Sequence, residues 1–191
     1  MGFLDSLLGR SRTAKPSKTD RLFAISTAYV TLQTSYGIVN AGKAGIVFQP
    51  LATSDFNAIV KDTEEVLRAT GEETGTLVET TEDDFGYRWA VLQDDDVEDL
   101  VVGINAVKDA LDTSGYGDRV LAAVFSFRDE AGKRIHLIYN VKRGSWYPFV
   151  PAPGRQARDN ERELQLKAQL GGELPFEPEL ERWFPLWGVP L

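Results

Sequence analysis

One segment of the sequence is similar to a phosphate-binding loop, but it is incomplete. Residues Gly37 to Lys43 follow the spacing GxxxxGK, in which backbone amides and a lysine hold phosphate oxygens. The next position must supply a hydroxyl group to Mg²⁺, and here it is Ala44. A predicted helix precedes the segment and a strand ended by Pro50 follows it, whereas a phosphate-binding loop joins a strand to a helix. We therefore do not expect a nucleotide site here.

The single histidine and the acidic runs also predict no catalytic or metal site. His136 alternates with apolar residues on a predicted strand, and the chain has neither a second histidine nor a GxSxG motif. The acidic run Asp94 to Asp96 precedes a predicted helix, where carboxylates act as caps, and a calcium loop would need glycine at Asp99 and glutamate at Asn105. Because the chain has no cysteine, thiolate chemistry is excluded. We expect no catalytic residue, no bound metal and no cofactor.

A stretch near the C-terminus combines cations with aromatic side chains. The sequence KRGSWYPF places Lys142 and Arg143 close to Trp146 and Tyr147. Cations beside aromatic rings suit an anionic or planar ligand, and such clusters also form contacts with protein partners. These four residues are therefore a candidate patch for a ligand or a partner.

The final segment is rich in tryptophan and proline. Four prolines recur between residues 173 and 191, which favours an extended path over a helix. A free tail with this many aromatic residues would be prone to aggregation. We therefore predict that Trp183, Phe184 and Trp187 pack against the domain, although a free recognition peptide is the alternative.

The chain begins with a short amphipathic segment. On a helical wheel its apolar residues share one face, and basic residues follow: Phe3, Leu4, Leu7, Leu8, Arg10 and Arg12. So few residues do not form a stable helix alone in water, so the segment should fold only against lipid or protein. Four buried apolar side chains and nearby cations support at most a weak, reversible contact with an anionic membrane. These residues are the candidate contact with a partner or membrane.

Charge is distributed unevenly between this segment and the rest of the chain. Residues 1–20 carry a net charge of +2, while the remaining 171 residues carry −10. A body this acidic repels phosphate backbones, so we expect no binding to nucleic acid. No apolar run is long enough to span a bilayer.

Periodicity predicts an α+β domain at 21–191, preceded by the peptide and basic linker of residues 1–20. Helices are predicted to span residues 22–36, 54–71, 96–114 and 159–170, and strands 43–49, 76–82, 87–93, 120–128 and 134–142. The β-branched stretch TAYVTL within the first helix also fits a strand. Tight turns predict an antiparallel sheet of two hairpins and one extra strand, with the helices mainly on one face. A ferredoxin-like split βαβ arrangement and a secretion-chaperone-like fold both fit this order.

Several stretches together resemble the PspA-associated family usually written PspAB, over nearly the whole chain: MGFLDSLLGR, FAISTAYVTLQ, EDDFGYRWAVL, VVGINAVKDALDTSGYG, KRGSWYPFVP, RDNERELQLKAQLGGELP and ERWFPLWGVP. That family occurs mainly in actinobacteria and some archaea and is linked to the phage-shock envelope-stress system. The resemblance implies a non-enzymatic accessory protein that associates with a PspA-like coiled-coil protein. It implies a cytoplasmic location, with peripheral contact at the inner face of the cell membrane, and it supplies no catalytic residues.

Two functional hypotheses follow. The first is a non-enzymatic adaptor that binds a PspA-like partner and contacts the membrane through its N-terminus. The second is a ligand-binding domain or weak hydrolase with a pocket near residues 142–149. They differ in geometry, because the second requires the cations and aromatic rings of that stretch to line one concave pocket.

Overall fold

The computed structural model of the chain describes residues 17–191. Within this range the helices are Lys18–Tyr36 (α1), Ser54–Thr74 (α2), Val97–Thr113 (α3) and Asn160–Leu170 (α4). Short 3-10 helices span Gly117–Arg119 and Leu180–Arg182. Side-chain caps begin the α-helices: the Ser17 hydroxyl accepts from the Asp20 amide, and Asp96 and Asp159 cap α3 and α4.

Six strands form one antiparallel sheet: Val39–Phe48 (β1), Leu77–Glu82 (β2), Arg88–Gln93 (β3), Val120–Arg128 (β4), Arg134–Asn140 (β5) and Ser145–Phe149 (β6). Pro151–Ala152 (β7) and Ala157–Arg158 (β8) form a separate two-stranded ladder. The order across the large sheet is β2-β3-β1-β4-β5-β6. The first four strands, with α2 and α3 as connections, therefore have the split βαβ order, and β5 and β6 extend it.

The sheet has a different cover on each face. The α-helices pack on one face over a core that includes Ile46, Phe125, Leu137 and Trp146. Strand alternation places the next residues on the opposite face, whose core includes Val124 and is covered by the C-terminal tail, residues 176–191. The protein is thus a sheet between a helical layer and a layer of extended chain.

The structure confirms the predicted α+β class, the antiparallel sheet and the helices on one face. The stretch WYPF belongs to a sixth strand, which pairs with β5. Helix α2 ends at Thr74 and not at Gly71, because the left-handed residue that stops it is Gly75, with φ of 92°. Helix α1 begins within the stretch assigned to the basic linker.

Candidate functional site

The segment Gly37 to Ala44 begins at the C-cap of α1 and continues into β1. Gly37 is the left-handed C-cap of α1, and its amide bonds to the Leu32 carbonyl. The amide of Gly42 donates to the Asn40 side chain at 3.0 Å, and its carbonyl accepts from Asp94 at 3.1 Å. These backbone groups are used within the fold, and no helix N-terminus follows them. The segment is not a phosphate-binding loop.

His136 is buried on the face of the sheet that the C-terminal tail covers. Its Nδ1 atom is 2.9 Å from the Ser126 hydroxyl, and its ring stacks on Phe149. Burial, with a smaller effect of Arg134, lowers the pKa of His136 to about 4. The imidazole is therefore neutral at physiological pH. Ser126 and His136 are only 2% and 1% exposed, so a substrate cannot reach this pair.

The acidic run Asp94 to Asp96 lies at the N-terminus of α3. Asp96 is the N-cap of α3, and Asp94 accepts from the Asp96 amide at 2.8 Å. Asp94 also accepts from the hydroxyl of Thr76. Among residues 17–191, no group of three or more histidine or acidic side chains is placed to hold a metal ion.

The four candidate patch residues do not converge on one pocket. Trp146 packs under the helices, whereas Tyr147 belongs to the core on the opposite face. Lys142 and Arg143 lie in the β5–β6 turn, beside an open depression that neither aromatic ring lines. The geometry required by the ligand-pocket hypothesis is therefore not met.

Arg143 has a structural partner that the sequence did not reveal. Its guanidinium bonds to the carboxylate of Glu177, which also accepts from the Ser145 hydroxyl at 3.1 Å. Burial alone would raise the pKa of Glu177, but these hydrogen bonds and that of the Glu179 amide hold it below its usual range. The contact joins the turn of KRGSWYPF to the start of the tail.

A second buried carboxylate fixes the tail further along. Glu163 of α4 is 2% exposed and accepts from Arg158 and from the Val150 amide. Arg158 in turn donates to the Trp183 carbonyl at 2.8 Å. Both charged pairs thus act as anchors, since each buried carboxylate is fully hydrogen-bonded.

The tail packs as predicted for two of its three aromatic residues. Trp183 is 4% exposed, and its indole donates to the Glu177 carbonyl at 3.1 Å. The ring of Trp187 meets that of Phe149 edge-on at 4.9 Å. Phe184 is 58% exposed, so the prediction that it packs was wrong. Because the anchored chain is extended, neighbouring side chains point in different directions, and Phe184 faces solvent.

An open groove of about 400 Å³ lies between the tail and one end of the sheet. Its sheet wall includes Trp89 and Tyr147, and its tail wall is formed by residues 184–189. The β2–β3 turn closes the third side with Phe85 and Tyr87. Within residues 17–191, the three aromatic side chains with large exposure are Phe85, Tyr87 and Phe184, and all of them line this groove. It is the candidate interaction site, here called the aromatic groove.

Sequence reasoning missed the aromatic groove. The available signal was the run DDFGY, which places two aromatic residues in a turn that would otherwise be polar. The candidate contact residues at the N-terminus lie outside the described residues: Phe3, Leu4, Leu7, Leu8, Arg10 and Arg12.

The fold and the groove define an α+β protein with an aromatic surface site. The family model of PspA associated protein B, PspAB, matches residues 1–191, so the chain belongs to the PspAB family. No curated protein and no solved structure matches it. None of the helices in the described part of the chain is long and apolar enough to cross a membrane.

Proposed function

We propose that this chain is a non-enzymatic adaptor of a phage-shock-type envelope stress response and that it binds a PspA-like coiled-coil protein. The observation that carries the proposal is the match to PspA associated protein B over all 191 residues. The buried state of the Ser126–His136 pair, together with the structural use of both buried carboxylates, favours binding over catalysis.

The N-terminal segment is the proposed contact with the partner. Its apolar face, Phe3, Leu4, Leu7 and Leu8, has the spacing of a helix that folds on a binding surface. The acidic body repels anionic lipid, whereas the segment is basic. We place the protein in the cytoplasm and propose that any contact with the inner face of the cell membrane is made by the segment.

Direct binding to the PspA-like protein of the same organism tests this proposal. We expect the full chain to bind, and the variant Leu4→Ser/Leu7→Ser to bind at least about tenfold more weakly, since two buried side chains contribute roughly 1.5–3 kcal/mol each. Ser6→Ala, on the opposite face of the segment, is the matched control. Equal binding by all three would remove the segment from the contact, and binding by none would overturn the adaptor function. Vesicles of anionic phospholipid, assayed in parallel, measure the membrane contact.

A further inference from the structure

The aromatic groove has the features of a formed binding site with no occupant among residues 17–191. Phe85, Tyr87 and Phe184 are 72%, 37% and 58% exposed, although each aromatic side chain loses roughly 150–250 Å² of accessible surface when it is covered. Three exposed aromatic rings around one concave surface mark an interaction site and not scattered surface residues.

The turn that carries two of these rings is held in place. One carboxylate oxygen of Asp83 accepts from the amides of Phe85 and Tyr87, both at 2.9 Å. The other oxygen accepts from the Trp89 indole at 2.9 Å. Asp83 thus fixes the turn to the groove wall, so the aromatic rings are positioned before any ligand arrives.

The N-terminal segment leaves the body at the same end of the sheet as the groove, but on the helix-covered face, so it must pass around that end to enter the groove. Lys18 donates to the Lys142 carbonyl at 2.8 Å, and its own carbonyl accepts from Tyr139 at 2.6 Å. Asn140, at the end of β5, lines the groove. Residues 9–16 separate the apolar segment from α1, and an extended chain of that length reaches about 27 Å.

Charge also favours the N-terminal segment as the occupant of the aromatic groove. Asp83 lines the groove, and Asp84 follows it in the β2–β3 turn. The linker carries Arg10, Arg12 and Lys15 directly after the apolar residues. Opposite charges on the rim and the linker would orient the segment, whereas Arg88 points to the other face and bonds to Asn57.

We propose that residues 3–8 of this chain dock into its own aromatic groove, with Phe3, Leu4, Leu7 and Leu8 against the aromatic rings. A short tether gives the segment an effective concentration on the millimolar scale, so a weak contact is enough to keep it docked. Docking hides the segment from other surfaces, and a partner or membrane must displace it. This inference does not depend on the identity of any partner.

Because the chain contains no cysteine, a nitroxide label can be attached at Ser6→Cys of the full chain without competing sites. In the ¹⁵N-labelled protein alone, we expect strong broadening of the Trp89 and Trp187 indole signals and of the Tyr87 amide. A segment that moves freely would instead broaden signals around its tether, near Lys18, and leave the groove signals unchanged. That result would overturn the proposal.

Two variants and one mixed sample complete the experiment. Leu4→Ser/Leu7→Ser should restore the groove signals, while Ser11→Ala/Thr13→Ala should not, because it changes neither the apolar face nor the charge. In a mixture of ¹⁵N protein without the label and labelled protein without ¹⁵N, we expect no broadening. Broadening there would assign the groove to a second copy, and unchanged broadening in the leucine variant would exclude the apolar contact. Either result would contradict docking of the chain's own segment.

Discussion

Lowering the pH should destabilise the protein because His136 is protonated in the unfolded chain. This effect begins at a higher pH than the protonation of the carboxylates. The pKa of the His136 imidazole is about 4 in the folded protein and 6.5 when the side chain is free in water. The unfolded chain therefore binds a proton between these values and the folded chain does not, so stability falls as the pH falls from about 6.5 towards 4. At about 1.4 kcal/mol per pH unit, the full effect is about 3 kcal/mol, of which about 2 kcal/mol is lost by about pH 5.

Urea unfolding of the wild type and His136→Gln at two pH values measures this effect. Glutamine can keep a hydrogen bond to Ser126 but does not titrate in this range. From about pH 7 to about pH 5, the wild type should lose about 2 kcal/mol more than the variant. Ordinary carboxylates contribute little in this interval because their pKa values are about 4.

The same claim can be checked directly by nuclear magnetic resonance. The chain has one histidine, so its imidazole signal needs no assignment. We expect a titration midpoint of about 4 in the folded protein. A midpoint near the value of a free side chain, or equal losses of stability in both proteins, would refute the burial of His136 beneath Phe149 and the tail.

Three further predictions concern the anchors of the tail. Trp183→Ala should cost about 3–5 kcal/mol of unfolding free energy, while the neighbouring Phe184→Ala should stay within about 0.5 kcal/mol, both by urea unfolding; equal costs would contradict the tail packing. Glu163→Ala should cost about 3 kcal/mol because it leaves Arg158 without its carboxylate, whereas Glu161→Ala, exposed on the same helix, is the control; a neutral result for the first variant would exclude the anchor. Deleting residues 180–191 should lower the melting temperature, increase dye binding and raise the His136 pKa towards 6.5; an unchanged pKa would mean that the tail does not keep His136 dry.

Local signals were enough to predict the helices and most of the strands. Apolar residues recur at helical spacing, and caps such as Asp96 and Asp159 stand where the helices begin. Alternation identified β4 and β5, and tight turns identified both hairpins. The central place of β1 was not predictable, because it depends on pairing with β3 and β4, which lie far along the chain.

The candidate site was harder to predict because its walls are distant in sequence. The turn carrying Phe85 and Tyr87 and the tail carrying Phe184 are about a hundred residues apart, and only the sheet brings them together. The stretch KRGSWYPF had a suggestive composition but no common pocket. Trp146 and Tyr147 are neighbours on β6 and face opposite sides of the sheet, while Lys142 lies in the preceding turn. Composition identifies candidate residues, whereas the register of the sheet decides which of them meet.

Co-purification from the organism that encodes the chain tests the adaptor function most directly. The full protein, tagged at its C-terminus and expressed at its native level, should enrich a PspA-like protein above all other proteins under envelope stress. The Leu4→Ser/Leu7→Ser variant should lose that enrichment, while Ser6→Ala should keep it. Enrichment of no PspA-like protein by the unaltered chain, with the tagged protein folded and present, would contradict the proposed function.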